Sequence, residues 1–217
     1  MILDVVPAGE CGAYIRFGTQ IDTTTNAIIL EYAAALRNLR RSELTDIVPG
    51  YVSLYVEFDV QQITIADVRS MVTNISLRDA PKMASTEEVI EIPVSYGGDQ
   101  GPDLTQVAEE CGLSEREVVE IHSAREYLVF FLGFTPGYPF MGIVDERIAV
   151  PRLAKPRIKV PAGSVGIAGF QTGIYPVDSP GGWRIIGRTT KQLADMSGSE
   201  PQFLLRPGHR ARFQPGV

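Results

Sequence analysis

From Tyr127 onward, glycine and proline divide the sequence into apolar segments of only a few residues each. Segments this short do not form stable helices, and closely spaced Gly and Pro are typical of turns between strands. The pattern therefore predicts a β-barrel or a β-sandwich for this half of the chain. The segments that we expect to be strands are residues 127–132, 164–168, 183–186, 203–205 and 211–213.

The first part of the chain has a different pattern, in which alternating apolar segments are separated by helical ones. Capping signals mark the helix starts, including a loose capping box in which Asp67 follows Thr64. The elements that we expect are a strand over 12–17, a helix from Asp22 or Thr23 to about Leu39, strands over 44–48 and 52–58, a helix from Thr64 to about Leu77, and a strand around Ile90. The order β-α-β-β-α-β is that of a ferredoxin-like domain, in which both helices cover one face of an antiparallel sheet.

The polar segment 78–88, which contains a proline, is the predicted linker between two domains. We place the boundary near Ser85, which gives an α+β chain with a ferredoxin-like domain over 1–85 and a β-barrel domain over 86–217. The strand around Ile90 could belong to either side. Two short helices are expected before the strands of the second domain, one that stops at Gly112 and one that starts at the capping box Ser114–Glu117.

Charge and composition exclude several classes of function. A net charge of -6 leaves little basic surface for phosphates, so nucleic acid is not an expected partner. No apolar run is long enough for a membrane span, and we expect a cytoplasmic protein without an anchor. Cys11 and Cys111 have no CxxC or CxxH neighbours, so we expect buried thiols and no metal site. P-loop, Rossmann and zincin motifs are also missing from the sequence.

The chain has two histidines, which limits the choice of a general base. His122 comes late in a capped helix, where it could exchange protons with a substrate near neutral pH. It could equally support the C-terminal end of its helix. His209 follows Pro-Gly and is expected to be solvated in a turn.

Several turns in the second half carry polar groups that could bind a ligand. Residues 134–140 form a turn rich in aromatic residues, which could wall a small pocket or simply plug one end of a barrel. The turns at 161–166 and 169–176 could direct amides, Gln171 and Thr172 towards a carboxylate, or could be ordinary hairpin turns.

Arginines supply the candidates for binding a carboxylate. Arg188 and the hydroxyl of Thr189 lie at the end of a predicted strand, and Arg188 is the strongest of these candidates. Arg152 and Arg157, which lie among prolines, are further options.

Short sequences spread over the second half carry a family resemblance. They are YGG at 96–98, GPDL at 101–104, LGFTPG at 132–137, VPAGSVGIAG at 160–169, QTGIYP at 171–176, SPGGW at 179–183 and IGRT at 186–189. Together they resemble the family of the 5-oxoprolinase B subunit (PxpB), also called the KipI or allophanate hydrolase subunit 1 family. The resemblance implies that the barrel is cyclophilin-like and that the chain works with the A and C subunits of 5-oxoprolinase to cleave 5-oxoproline to glutamate using ATP.

The same resemblance leaves other activities open. One branch of the family inhibits a sensor histidine kinase, and related domain pairs form the carboxyltransferase part of urea carboxylase. Prolyl isomerisation, suggested only by the cyclophilin-like fold, is less favoured because fold does not determine function. For the enzyme, we predict His122 and Arg188 as catalytic residues. The predicted substrate-binding residues are Pro136, Gly137, Gln171, Thr172, Tyr175, Gly182 and Thr189.

Overall fold

The computed structural model describes residues 2, 4–77 and 88–216. The chain divides into two compact units, residues 1–85 and 86–217. The predicted boundary near Ser85 lies outside the described residues, as does the predicted linker 78–88 apart from its last residue.

The first unit is a four-stranded antiparallel sheet with the strand order β1-β2-β4-β3, packed against two helices. Its elements are β1 (Asp4–Pro7), β2 (Gly12–Arg16), α1 (Thr23–Asn38), β3 (Leu44–Pro49), β4 (Ser53–Phe58) and α2 (Ile65–Asn74). Asp22 caps α1 by accepting a hydrogen bond of 2.8 Å from the amide of Thr25. The capping box of Thr64 and Asp67 starts α2, as the sequence predicts.

The order of elements in this unit differs from the prediction in one strand. The segment around Ile90 does not join this sheet, because it pairs with strands of the second unit. The edge of the sheet beside β2 is instead formed by β1, which precedes β2 in the chain. The first unit therefore has the antiparallel sheet and the two helices expected of a ferredoxin-like domain. Its edge strand is β1, which precedes β2, and not a strand that follows α2.

The second unit is built around a closed barrel of seven strands in the order β10-β7-β6-β15-β5-β12-β9. This confirms the β-barrel and not the β-sandwich as the architecture of the second unit. Its elements are β5 (Val89–Tyr96), α3 (Leu104–Cys111), α4 (Glu115–Ser123), β6 (Glu126–Leu132), β7 (Pro139–Gly142), β8 (Arg157–Val160), β9 (Ser164–Ala168), β10 (Gln171–Ile174), β11 (Ser179–Gly181), β12 (Arg184–Arg188), β13 (Ala194–Asp195), β14 (Gln202–Phe203) and β15 (Arg210–Pro215). Strands β5 and β15 are parallel, and the other neighbours in the barrel are antiparallel.

Two apolar clusters lie on opposite sides of the barrel wall. The larger cluster fills the interior, and the smaller one lies outside it around Tyr138 and Trp183. Alternation along β12 shows the division, because Ile186 belongs to the interior cluster and Ile185 to the outer one. The outer cluster positions the candidate site.

The two cysteines are free, but only one is even partly buried. Cys111 is half-buried, whereas Cys11 is exposed, with its sulfur 3.7 Å from a carboxylate oxygen of Glu57. The prediction of two buried thiols is therefore wrong for Cys11, because the turn between β1 and β2 carries it to the surface.

Candidate functional site

Two cavities in the second unit share one residue, Tyr175. The larger, which we name the basic cavity, has a volume of about 640 Å³. Its lining consists of Ser95, Gln100, Ala162, Gly163, Tyr175, Pro176, Arg188, Thr189, Thr190, Lys191, Gln192 and Leu193. The smaller, the aromatic cavity, has a volume of about 250 Å³. Its lining consists of Phe134, Tyr138, Phe140, Arg152, Pro156, Tyr175, Pro180, Gly181, Gly182 and Trp183.

The basic cavity is formed where the turn before β9 meets the end of β12. Thr189 donates its amide proton to the carbonyl of Gly163 over 2.9 Å, and the Nε of Arg188 donates to the carbonyl of Ala162 over 2.8 Å. Gly163 has a φ of +82°, and a Cβ there would lie 2.1 Å from the carbonyl oxygen of Thr189. Only glycine allows this close approach, so the turn sequence fixes the position of Arg188.

The charge of the basic cavity favours an anionic ligand. Among the residues that the structure describes, its lining includes Arg188 and Lys191 but no aspartate or glutamate, although the chain as a whole has a net charge of -6. The Nζ of Lys191 is already bound to the carbonyl of Glu91 at 2.8 Å. The terminal nitrogens of Arg188 form no hydrogen bond within the described part of the chain. They can therefore bind a carboxylate or a phosphate.

The aromatic cavity is lined by a group of rings that contact one another in tilted or edge-to-face arrangements. Tyr138 lies at the centre, with ring centroids 5.0 Å from Tyr175, 4.9 Å from Phe140 and 5.7 Å from Trp183. Such packing fixes the orientation of each ring and leaves a rigid apolar wall.

Phe134 forms an outer wall of the aromatic cavity in an unusual backbone conformation. Its φ is +63° and its side chain is 63% exposed, while its ring meets those of Tyr138 and Tyr175 edge to face. A bulky residue in the left-handed region costs roughly 1–2 kcal/mol, and such strain is concentrated at functional sites.

Substitutions at position 134 can measure this strain. We expect Phe134→Gly to be more stable than Phe134→Ala by about 1 kcal/mol, because both remove the ring and only glycine relieves the strain. Urea unfolding of the two variants would check the difference. Equal stabilities would show that the left-handed conformation costs nothing.

The structure separates the predicted site residues into different places. Arg188 and Thr189 line the basic cavity, Gly182 lines the aromatic cavity and Tyr175 lines both. The remaining substrate-binding candidates, Pro136, Gly137, Gln171 and Thr172, line neither cavity.

The packing of the turn and of β10 explains why these four candidates lie elsewhere. Pro136 is exposed, and Gly137 packs so closely that a Cβ would lie 2.7 Å from the ring of Phe203. Gln171 is half-buried at the start of β10, and Thr172 is fully buried inside the barrel.

His122 also lies inside the barrel, away from both cavities. It is completely buried, its ring stacks on Phe213, and both of its nitrogens are hydrogen-bonded. Thr172 donates its proton to the carbonyl of Gly166 over 3.0 Å, so its oxygen accepts from Nε2 of His122 at 3.0 Å. Nδ1 is then the acceptor for the hydroxyl of Tyr96 at 2.8 Å. This arrangement favours a structural role for His122 over proton exchange with a substrate.

The buried imidazole should make stability depend on pH. Burial lowers the pKa of His122 to about 3, against about 6.5 for an unfolded histidine. The unfolded chain then binds a proton that the folded chain cannot, so stability is fully present above pH 6.5 and is lost as the pH falls. We expect a loss of about 2 kcal/mol between about pH 7 and pH 5 from this group alone.

Urea unfolding at both pH values would measure this loss. His122→Gln should remove most of the slope in this range. His209→Gln should remove less, because His209 is only half-buried, although burial lowers its pKa as well. A His122→Gln slope equal to that of the wild type would contradict the proton linkage.

The sequence patterns miss several residues of the two cavities. Lys191 and Gln192 follow the strand that ends at Arg188 and carry no motif. Tyr138 lies in the aromatic turn 134–140 and Trp183 in the sequence SPGGW, but neither residue is predicted individually as part of a site. The sequence signal that points to these cavities is the repeated Gly and Pro around aromatic residues.

The structure also bears on metals and membranes. In residues 2, 4–77 and 88–216, no three or more His, Cys, Asp or Glu side chains form a group that could hold a metal ion. None of the helices in the same residues has the length and apolar character needed to cross a membrane.

The family model and the similar proteins agree on the family to which this chain belongs. Residues 3–205 match the family model described as carboxyltransferase domain, subdomain C and D. The chain is 59% identical over 126 residues to the B subunit of 5-oxoprolinase from Escherichia coli O157:H7, a match that covers 58% of this chain and 57% of that protein. It is 39% identical over 215 residues to the B subunit of 5-oxoprolinase from Bacillus subtilis strain 168, which covers 94% of this chain and 89% of that protein.

A solved structure shows the same fold. The crystal structure of TTHA0988 matches with a TM-score of 0.81 and 40% sequence identity, over 95% of this chain and 40% of that chain. The match thus spans less than half of TTHA0988, and the match to the E. coli protein spans little more than half of that protein.

Proposed function

Because this chain belongs to the carboxyltransferase subdomain C and D family, in the group of the 5-oxoprolinase B subunits, we propose that it is the B subunit of an ATP-dependent 5-oxoprolinase. In this proposal it acts in the cytoplasm with the A and C subunits to convert 5-oxoproline into glutamate. The observation that supports it most directly is the 39% identity to a 5-oxoprolinase B subunit over 94% of this chain.

The chemistry explains why ATP is needed. Amide resonance protects the lactam carbonyl of 5-oxoproline, and transfer of a phosphoryl group to its oxygen makes the carbon open to attack by water. The ring C–N bond then breaks, the nitrogen takes up a proton to become the amine of glutamate, and a second water hydrolyses the acyl phosphate that remains, which releases phosphate and leaves the side-chain carboxylate. In total, 5-oxoproline, ATP and two waters give glutamate, ADP and phosphate. This chain has no P-loop motif, so we expect that it does not itself bind the nucleotide through one.

The role of this chain in that reaction is to hold anionic groups. The basic cavity offers the free guanidinium nitrogens of Arg188 and the hydroxyls of Thr189 and Thr190, with no carboxylate in its lining. These groups can orient a substrate carboxylate or a phosphorylated intermediate.

His122 and Thr172 act indirectly in this proposal. Because both are fully buried and hydrogen-bonded to each other inside the barrel, they stabilise the barrel wall that carries the two cavities. Gln171 precedes Thr172 on the same strand and keeps the role of a candidate for orienting the substrate.

Reconstitution tests the proposal. The chain should be co-expressed with candidate A and C subunits, and release of glutamate from 5-oxoproline should be measured with and without ATP. We expect glutamate only when all three chains and ATP are present. An assembled, folded complex without this activity would refute the proposal and would favour the inhibition of a histidine kinase or a carboxyltransferase activity.

A further inference from the structure

Arg152 is an exposed cation at the edge of the aromatic cavity, and the other described residues of the lining are uncharged. It forms no hydrogen bond or ion pair with any residue that the structure describes. Arg157, a few residues later, is in contrast held by both oxygens of Asp103, at 2.9 and 2.6 Å. Within the described part of the chain, the lining of the aromatic cavity contains no acidic residue that could neutralise Arg152.

Local backbone contacts hold Arg152 at the cavity. The amide of Leu153 donates to the carbonyl of Gly182 over 2.7 Å, which fixes this segment beside the turn before β12. A Cβ at position 182 would lie 3.5 Å from Nη2 of Arg152, so the guanidinium packs over this glycine. A Cβ at position 181 would lie 2.3 Å from the hydroxyl of Tyr175, so glycine at this position allows Tyr175 to pack against the turn at the cavity wall.

The size and surface of the cavity restrict its ligand. At about 250 Å³ it is smaller than the pockets of roughly 300–1,000 Å³ that hold drug-sized ligands. It therefore suits a single small ring better than a nucleotide. Its aromatic faces can pack against such a ring, and the planar fork of an arginine matches a carboxylate.

We propose that the aromatic cavity is a binding subsite for a small cyclic carboxylic acid, whose carboxylate is held by Arg152 and whose ring packs between Tyr175 and Trp183. The choice of 5-oxoproline as this acid rests on the proposed function. In that case the carboxylate is bound in the aromatic cavity, and the basic cavity, on the other side of Tyr175, is left for the phosphorylated group.

The chain contains its own probe for this subsite. Trp183 is the single tryptophan of the sequence and lines the aromatic cavity. The residues that would hold the carboxylate and the ring, Arg152, Tyr175 and Trp183, belong to this chain, so we expect the isolated chain to bind the ligand without its partners. We expect titration with 5-oxoproline to give a saturable change in fluorescence, and 2-pyrrolidinone, which is the same lactam without the carboxylate, to give none.

Substitution of Arg152 tests its role. We expect Arg152→Gln to weaken the binding of 5-oxoproline at least tenfold, and to raise KM by a similar factor in the assembled complex. Lys155→Gln is the matched control, because Lys155 is an exposed cation nearby that lines neither cavity. It should leave both quantities unchanged.

The outcomes separate this inference from the proposed function. Binding that depends on Arg152, in a complex that releases no glutamate, would support the subsite and refute the 5-oxoprolinase assignment. Normal turnover with an unchanged KM in the Arg152→Gln complex would support the 5-oxoprolinase assignment and refute the subsite. The subsite is also overturned if the wild-type chain shows no saturable change, if binding is lost in Arg188→Gln but not in Arg152→Gln, or if a proline peptide binds and 5-oxoproline does not.

Discussion

Replacement of His122 by alanine should lower the free energy of unfolding by about 3–4 kcal/mol. The ring is completely buried and stacks on Phe213 at a centroid distance of 4.6 Å, so its removal leaves a cavity in the barrel interior. It also leaves the hydroxyls of Tyr96 and Thr172 without their shared partner. Urea denaturation of the isolated chain measures the change directly.

A control variant and a second measurement distinguish a structural from a catalytic role. His209→Ala should cost less, because His209 is half-buried near a turn. If His122 is structural, the folded fraction of a His122→Gln complex should keep its turnover number and its pH profile. A variant with normal stability and a large loss of turnover would instead establish the proton-transfer role.

Local signals in the sequence predict the helices well. The capping boxes at Thr64 and Ser114 both form as the spacing indicates, and Gly112 ends α3 in the left-handed conformation. These features depend on contacts within a few residues, so the sequence alone specifies them.

The assignment of strands to sheets depends on distant partners, and here the prediction fails in part. Strand β5 pairs in parallel with β15, which lies at the other end of the second unit. No local pattern near Ile90 reveals this partner. Strand β1 covers only Asp4–Pro7, which is too short to show a clear alternation, and it was therefore missed.

The candidate site shows the same limit. Arg152 and Arg157 look equivalent in the sequence, because both lie among prolines. Asp103, which is far away in the chain, forms an ion pair with Arg157 and leaves Arg152 free. In the same way, the position of His122 inside the barrel depends on Thr172, a partner from β10. Residue types alone cannot distinguish such alternatives, since burial and pairing are set by the tertiary fold.

Arg188 should have the largest effect on activity in the reconstituted complex. Its Nε holds the turn before β9, and the residue lines a cavity of about 640 Å³ in which the described lining includes no acidic side chain. A hydrogen bond to a charged group contributes about 1.5–3 kcal/mol. If that bond strengthens as charge develops on the substrate, its loss would lower the rate at least tenfold.

Arg188→Ala should therefore reduce kcat/KM for 5-oxoproline at least tenfold, and Arg188→Lys should recover only part of the loss, because an ammonium group lacks the planar fork. Arg116→Ala is the matched control, since Arg116 is an exposed arginine on α4 whose ion pair with Glu120 contributes little. Circular dichroism and association with the partner chains should be normal in all three variants. Unchanged kinetics in Arg188→Ala would remove the basic cavity from the reaction, because no other side chain in its lining offers free guanidinium nitrogens.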